Sequence, residues 1–326
     1  MLVTTPPGPK LRRADDRAKR WALPSRAMVQ IAALLALASA PGCGSSYQSA
    51  WDEPAPTQSA QAATPEAQSQ RADHIAQGDQ AWAARDDAAQ VRAAITAWEQ
   101  ATEIDGNDAD TWVKISHAYY FLADGHLRFT DEAAMNDVYQ SSIRAAERAL
   151  RVLSPEFAQQ MTAGQRVDQA VAVIDNANAV PALYWRAAAL GKWAQGQGFA
   201  TVLSFKDEIR AVMTRCMELD RPYFYAGPDR YFGAFFAIAP TYAGGDLERS
   251  RQHFEESIRQ HPNYFGTRVL YAENYAVKSQ NRQLFEENLR FVIDGDPESM
   301  PEAGPENRVE QRKARALMER IDELFE

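Results

Sequence analysis

Apolar and small residues recur three and four apart along this chain, in runs that each end in a turn of Asp, Gly, Asn or Pro. The clearest run lies between Gly244 and Pro262. A double glycine and Asp246 open it, Ser250, Phe254, Ser257 and Ile258 share one helical face, and Pro262 closes it. Similar endings occur at Asp105-Gly106-Asn107-Asp108, Ser154-Pro155, Arg221-Pro222, His261-Pro262 and Asp294-Gly295-Asp296-Pro297. The pattern predicts helices throughout, joined by short turns.

The order small residue, aromatic, small residue, proline matches the second helix of a tetratricopeptide repeat. There the small residues let two helices approach and the aromatic fills the space between them. Trp112, Ile115, Ser116 and Tyr119 sit at the offsets of the matching first helix. Pro262 to Pro297 spans close to one unit of about 34 residues, while the earlier intervals are longer. The expected fold is an all-α, solenoid-like array of tetratricopeptide-like helical hairpins over residues 71–326, closed by a helix from Glu306 to Phe325. Val309, Leu317, Ile321, Leu324 and Phe325 form the inner side of that last helix. An irregular amphipathic helical protein without true repeats is the competing reading.

The N-terminus reads differently. Arg12, Arg13, Arg17, Lys19, Arg20 and Arg26 precede an apolar run from Met28 to Ala40, then Pro41-Gly42-Cys43. This is the order of a signal peptide over residues 1–42, and the run is shorter than the ~20 apolar residues that span a bilayer. A cysteine directly after the cleavage site resembles a bacterial lipobox, with Ala40-Pro41-Gly42 in place of the leucine-led triplet. Lipidation at Cys43 is therefore expected, with ordinary secretion as the alternative. Residues 43–70, rich in Ser, Gln, Ala, Pro and Thr, are expected to form a disordered tether.

The second of the two cysteines, Cys216, lies on a helical apolar pattern with Ile209, Val212 and Met213, so it reads as a core residue and excludes a disulfide scaffold. The chain carries a net charge of −9, and its first 42 residues hold seven basic and two acidic side chains, which leaves about −14 on the rest. So acidic a surface repels nucleic acid.

No HExxH, GxSxG or phosphate-binding glycine loop is present. The five histidines are scattered, and His117 reads as a structural histidine beside Tyr120 or Phe121. Asp105 to Asp110 has its glycine too early for a calcium loop and lacks the closing glutamate. No enzyme activity, cofactor or metal is expected.

Aromatic residues crowd the middle of the chain. Tyr184, Trp185 and Trp193 fall in one run, and Tyr223, Phe224, Tyr225, Tyr231, Phe232, Phe235 and Phe236 in the next. Two readings stand. Tyr184, Trp185, Tyr231, Phe232 and Phe235, flanked by Trp193, line an apolar cavity, or the same rings fill the core between hairpins.

The stretches Leu183-Tyr-Trp-Arg-Ala-Ala-Ala-Leu-Gly-Lys-Trp-Ala194, Tyr231-Phe-Gly-Ala234, Gly244-Gly-Asp-Leu247 and Arg268-Val-Leu-Tyr-Ala-Glu-Asn-Tyr-Ala276 resemble the T-component family of TRAP (tripartite ATP-independent periplasmic) transporters. The resemblance runs from about Ala72 to Leu324. It implies a non-enzymatic periplasmic lipoprotein, anchored by lipid to the outer membrane. It further implies a homotrimer that docks the transporter's solute-binding protein and passes a hydrophobic or organic-acid ligand. The alternative function is a tetratricopeptide-type envelope scaffold lipoprotein with no small ligand.

Overall fold

The computed structural model describes residues 47–54 and 64–325. Among these residues every regular element is helical. In chain order they are α1 (Pro65–Ala83), α2 (Ala88–Ile104), α3 (Ala109–Phe121), α4 (Glu132–Leu153), α5 (Pro155–Thr162), α6 (Val167–Ala170) and α7 (Val180–Gln197). There follow α8 (Phe199–Asp220), α9 (Tyr223–Ile238), α10 (Leu247–Gln260), α11 (Phe265–Leu270), α12 (Arg282–Asp294), α13 (Gly304–Glu319) and α14 (Ile321–Leu324). None is long and apolar enough to cross a membrane. The signal-peptide and Cys43 expectations lie outside the described residues.

Caps begin the helices where the turn residues predict them. Asp108 accepts from Thr111 N at 3.1 Å, and Asp246 accepts from Glu248 N and Arg249 N at 3.0 and 3.1 Å. Gly244 takes the left-handed conformation (φ 97°) that the turn before α10 requires. Consecutive helices then pack in pairs: α1 on α2, α3 on α4, α7 on α8, and α9 on α10.

Small residues recur at these contacts. Ser116 and Ser142 each donate to the other's backbone carbonyl, at 2.9 and 2.8 Å, across the α3–α4 seam. Ser250 Oγ donates to the Gly233 carbonyl at 2.7 Å across the α9–α10 seam, with Phe254 fully buried one turn on. The expected register of α10 is therefore the one observed.

Three apolar clusters form the core. The largest joins α4, α5, α7 and α8, another lies among α1, α2 and α3, and a third among α11, α12 and the C-terminus. Cys216 is buried in the first. The expected last helix begins earlier, at Gly304, and breaks at Arg320. Val309 and Phe325 are buried, and Leu317, Ile321 and Leu324 pack partly buried against the third cluster.

The tether expectation needs correction over part of its length. Tyr47–Pro54 packs on the helical body, with Trp51 buried edge-to-face on Phe157 at 5.5 Å. The buried Glu147 accepts from Ser49 Oγ (3.0 Å), Ala50 N (2.7 Å), Arg186 Nε (3.0 Å) and the Tyr47 hydroxyl. Helix α1 starts at Pro65, capped by Thr64, not after residue 70. Two aromatic rings and one buried carboxylate supply the burial that the segment's polar composition conceals.

Candidate ligand cavity

Helices α7, α8 and α9 enclose a cavity of about 450 Å³. Its space comes from small side chains. On α7 the wall is Ala187, Ala188, Gly191 and Ala194, and on α9 it includes Ala234. Larger residues face them from α8, among them Val202, Leu203, Ile209 and Met213. The segment Ala239 to Ala243 and a π-helical turn, Tyr271–Ala276, complete the wall with Leu270, Glu273 and Asn274. Phe199 and Ile238 line the cavity while remaining 59% and 47% exposed, so they stand at its mouth.

Of the six rings singled out in the sequence, Tyr184, Tyr231 and Phe235 lie on this wall. The other three lie elsewhere. Trp185 stacks on His117 at 4.0 Å and donates from Nε1 to Tyr223 Oη at 3.1 Å. Trp193 packs against Tyr47 and Phe205, both at 5.8 Å. Phe232 stacks on Phe236 at 5.8 Å and faces His253 at 5.5 Å. His117 belongs to this aromatic packing, and burial, with Arg85 nearby, lowers its pKa to about 3.

The first turn of α9 is unusual. Phe224, Tyr225 and Ala226 all have left-handed backbones, with φ of 45°, 58° and 54°. The first two carbonyls are met by the buried Arg230, which donates from Nη2 to Phe224 O at 3.1 Å and from Nη1 to Tyr225 O at 3.0 Å. Nη2 also donates to Tyr184 Oη at 3.0 Å. Tyr184 in turn packs against Gly227, where a Cβ would come within 2.5 Å of its ring. This chain of contacts sets the Tyr184 ring against the cavity.

Sequence reading missed the charged groups on the wall. Arg128, Lys192, Lys206 and Arg230 line the cavity against one carboxylate, Glu273. Lys206 pairs with Asp207 at 2.7 Å. Arg128 and Lys192 approach Asp124 Oδ1 only to 3.8 and 4.0 Å, because Tyr139 and Lys313 hold that carboxylate. Burial pushes the Lys192 ammonium below the ordinary lysine range, and Asp124 offsets this in part. A signal for Lys192 was available, since it lies on the same helical face as Tyr184, Ala188 and Gly191. Among the described residues, no group of His, Cys, Asp or Glu is arranged to hold a metal ion.

A family model described as TRAP transporter T-component matches residues 131–325, more than half of the chain. The chain belongs to the TRAP transporter T-component family. The family is one of transporter components and not of enzymes. No curated protein matches the chain. The match begins at Asp131, the cap of α4, later than the resemblance read from about Ala72. It contains every residue of the cavity wall except Tyr120 and Arg128.

Proposed function

We propose that this T-component serves its TRAP transporter as a periplasmic accessory protein, docking the solute-binding protein and holding a hydrophobic or organic-acid ligand in the α7–α8–α9 cavity. The observation that carries this reading is the cavity itself, a mostly apolar space opening between Phe199 and Ile238 within the family-matched part. A scaffold without a ligand has no use for such a space, since filling it with larger side chains stabilises a core. The paired helices follow the tetratricopeptide plan in this reading, with small residues at the α3–α4 and α9–α10 seams. The protein is held at the outer membrane through a lipid on Cys43 and acts as a homotrimer.

Two measurements test the proposal. Size-exclusion chromatography of this protein with the solute-binding protein of the same transporter should yield a complex, and native mass spectrometry of gently extracted protein should find an apolar or acidic small molecule bound. Ala188→Leu together with Ala234→Leu, which fill the cavity from two walls, should abolish the bound mass while the helical fold persists. Absence of both complex and ligand would leave the scaffold reading. The anchor is tested separately: Cys43→Ser should move the protein from the membrane to the soluble periplasmic fraction.

A further inference from the structure

Among the described residues six large apolar or aromatic side chains are exposed, and four of them gather at the cavity mouth. Phe199 and Ile238 flank the opening, Tyr242 stands 82% exposed on the turn after α9, and Leu247 begins α10. That turn folds back on α9, with Gly245 N donating to Pro240 O at 3.0 Å and Asp246 N to Phe236 O at 2.9 Å. Ile238, Tyr242 and Leu247 are thereby held at one end of the α9–α10 pair. Exposed apolar side chains scattered singly carry no meaning, but a group of them marks a contact surface.

The N-terminal segment lies close to this surface. Tyr47 packs on the α7–α8 hairpin, 5.8 Å from Trp193 and 6.1 Å from Phe205 between ring centres, and its hydroxyl donates to Glu147. Phe205 is six residues into α8 from Phe199, so Tyr47 sits about 9 Å along the helix from the tip that carries Phe199. Cys43 comes four positions before Tyr47, and four positions of fully extended chain reach at most about 14 Å. A coil running free from Cys43 to residue 70 would instead let the body stand on the order of 30 Å away. Docking of Tyr47 replaces that long tether by a short one that ends beside the patch.

We propose that the rim formed by Phe199, Ile238, Tyr242 and Leu247 is a membrane-contacting surface, seated in the headgroup–acyl boundary of the bilayer that holds the lipid on Cys43. This rests on the lipid anchor proposed for Cys43 and fixes how the folded body stands on it. Aromatic and branched apolar side chains are at home at this boundary, where their apolar parts are buried and polar edges stay wet. Charges beside the rim answer each other, Lys206 with Asp207 at 2.7 Å and Glu248 with Arg251 at 2.6 Å. The contact is therefore apolar and needs no anionic lipid. The cavity mouth, lying between Phe199 and Ile238, then opens onto lipid.

The test uses the full lipidated chain in phosphatidylcholine vesicles, labelled with the polarity-sensitive dye nitrobenzoxadiazole at Tyr242→Cys or, as control, at Ala93→Cys. Ala93 is exposed on α2, which packs on α1 and α3, and the buried Cys216 takes no label. Melting temperatures of both labelled variants verify folding. At position 242 the emission should shift to the blue, brighten several-fold on vesicle binding and be quenched by spin-labelled lipid. At position 93 it should stay as in water. Phe199→Ser with Leu247→Ser should reverse most of the shift at 242 while the protein still floats with the vesicles. A water-like dye at position 242 in protein that floats, or a shift that survives both serines, would overturn the proposal and leave the anchor standing. So would a blue shift without vesicles that grows with protein concentration, or one that appears only with the solute-binding protein, since a second copy or the partner would then cover the rim. Failure to float at all would overturn anchor and membrane contact together.

Discussion

Gly233 lies beneath the ring of Phe254, so close that a Cβ on Gly233 would sit 2.7 Å from Cγ of that ring. Helices α9 and α10 meet at this point, and the Ser250 hydroxyl closes the seam on the Gly233 carbonyl. Gly233→Ala should therefore cost roughly 1–3 kcal/mol by overpacking, and Phe254→Ala roughly 3–5 kcal/mol by leaving a cavity. The two effects are coupled. In Phe254→Ala the added methyl has room, so the double variant should be more stable than the sum of the two losses predicts. Urea denaturation of the four proteins measures this, and strict additivity would separate the two residues energetically.

Arg230 holds a backbone that its sequence would not choose. Each non-glycine left-handed residue costs roughly 1–2 kcal/mol, and three stand in a row at Phe224, Tyr225 and Ala226. Arg230→Met removes the donors to two part-buried carbonyls and should cost roughly 1 kcal/mol for each. Arg230→Lys should lose nearly as much, because one ammonium cannot span both carbonyls and Tyr184 Oη. Hydrogen exchange should rise first at Phe224–Ala226. Unchanged protection there in Arg230→Met would mean that packing alone maintains the turn.

The difference between these two sites explains what a sequence discloses. The α10 run carries its own instructions: Asp246 caps, Ser250 and Ser257 permit close approach, Phe254 fills, and each is local. The left-handed turn has no local signal, since Tyr-Phe-Tyr-Ala favours an ordinary helix start and the stabilising group comes from Arg230 and Tyr184. The cavity is intermediate. Grouping Tyr184 with Trp185, and Tyr231 with Phe232, treated sequence neighbours as wall neighbours, although adjacent helical residues point about 100° apart. Tyr231 and Phe235, four apart, do share the wall. Helical spacing also placed Lys192 on that wall, but its 4.0 Å distance from Asp124 reflects Lys313, more than a hundred residues away, holding that carboxylate.

Glu147 fastens the N-terminal segment to the body. Its carboxylate collects Ser49 Oγ, Ala50 N, Arg186 Nε and the Tyr47 hydroxyl, and it is fully buried. Removing one partner of such a buried charged network costs roughly 3–5 kcal/mol, so Glu147→Ala should be strongly destabilising. Tyr47→Phe withdraws a single donor to a charged acceptor and should cost roughly 1.5–3 kcal/mol. Chymotrypsin reports on the docking, because Tyr47 and Trp51 are cleavable only once released. Cleavage at Trp51 should be slow in the wild type and fast in Tyr47→Phe. Equal rates would place the anchoring energy in the Trp51–Phe157 contact.

His117 makes the fold sensitive to acid. Its ring stacks on Trp185 with 12° between planes, and burial, reinforced by Arg85, lowers its pKa to about 3. In the unfolded chain the same imidazole takes a proton near its ordinary value of about 6.5. Between these two values the unfolded state binds more protons than the native state, so stability is fully present above pH 6.5 and falls as pH drops toward 3. The slope is at most about 1.4 kcal/mol per pH unit. His126 and His261 are also held below the ordinary range by burial, and they titrate alike in wild type and variant. His117→Phe keeps a ring in the stack and removes the titration. Between pH 6.5 and 4.5 the wild type should lose roughly 2 kcal/mol that the variant retains, measured by urea denaturation across that range. Parallel pH profiles for the two proteins would mean that the ring accepts its proton without leaving Trp185.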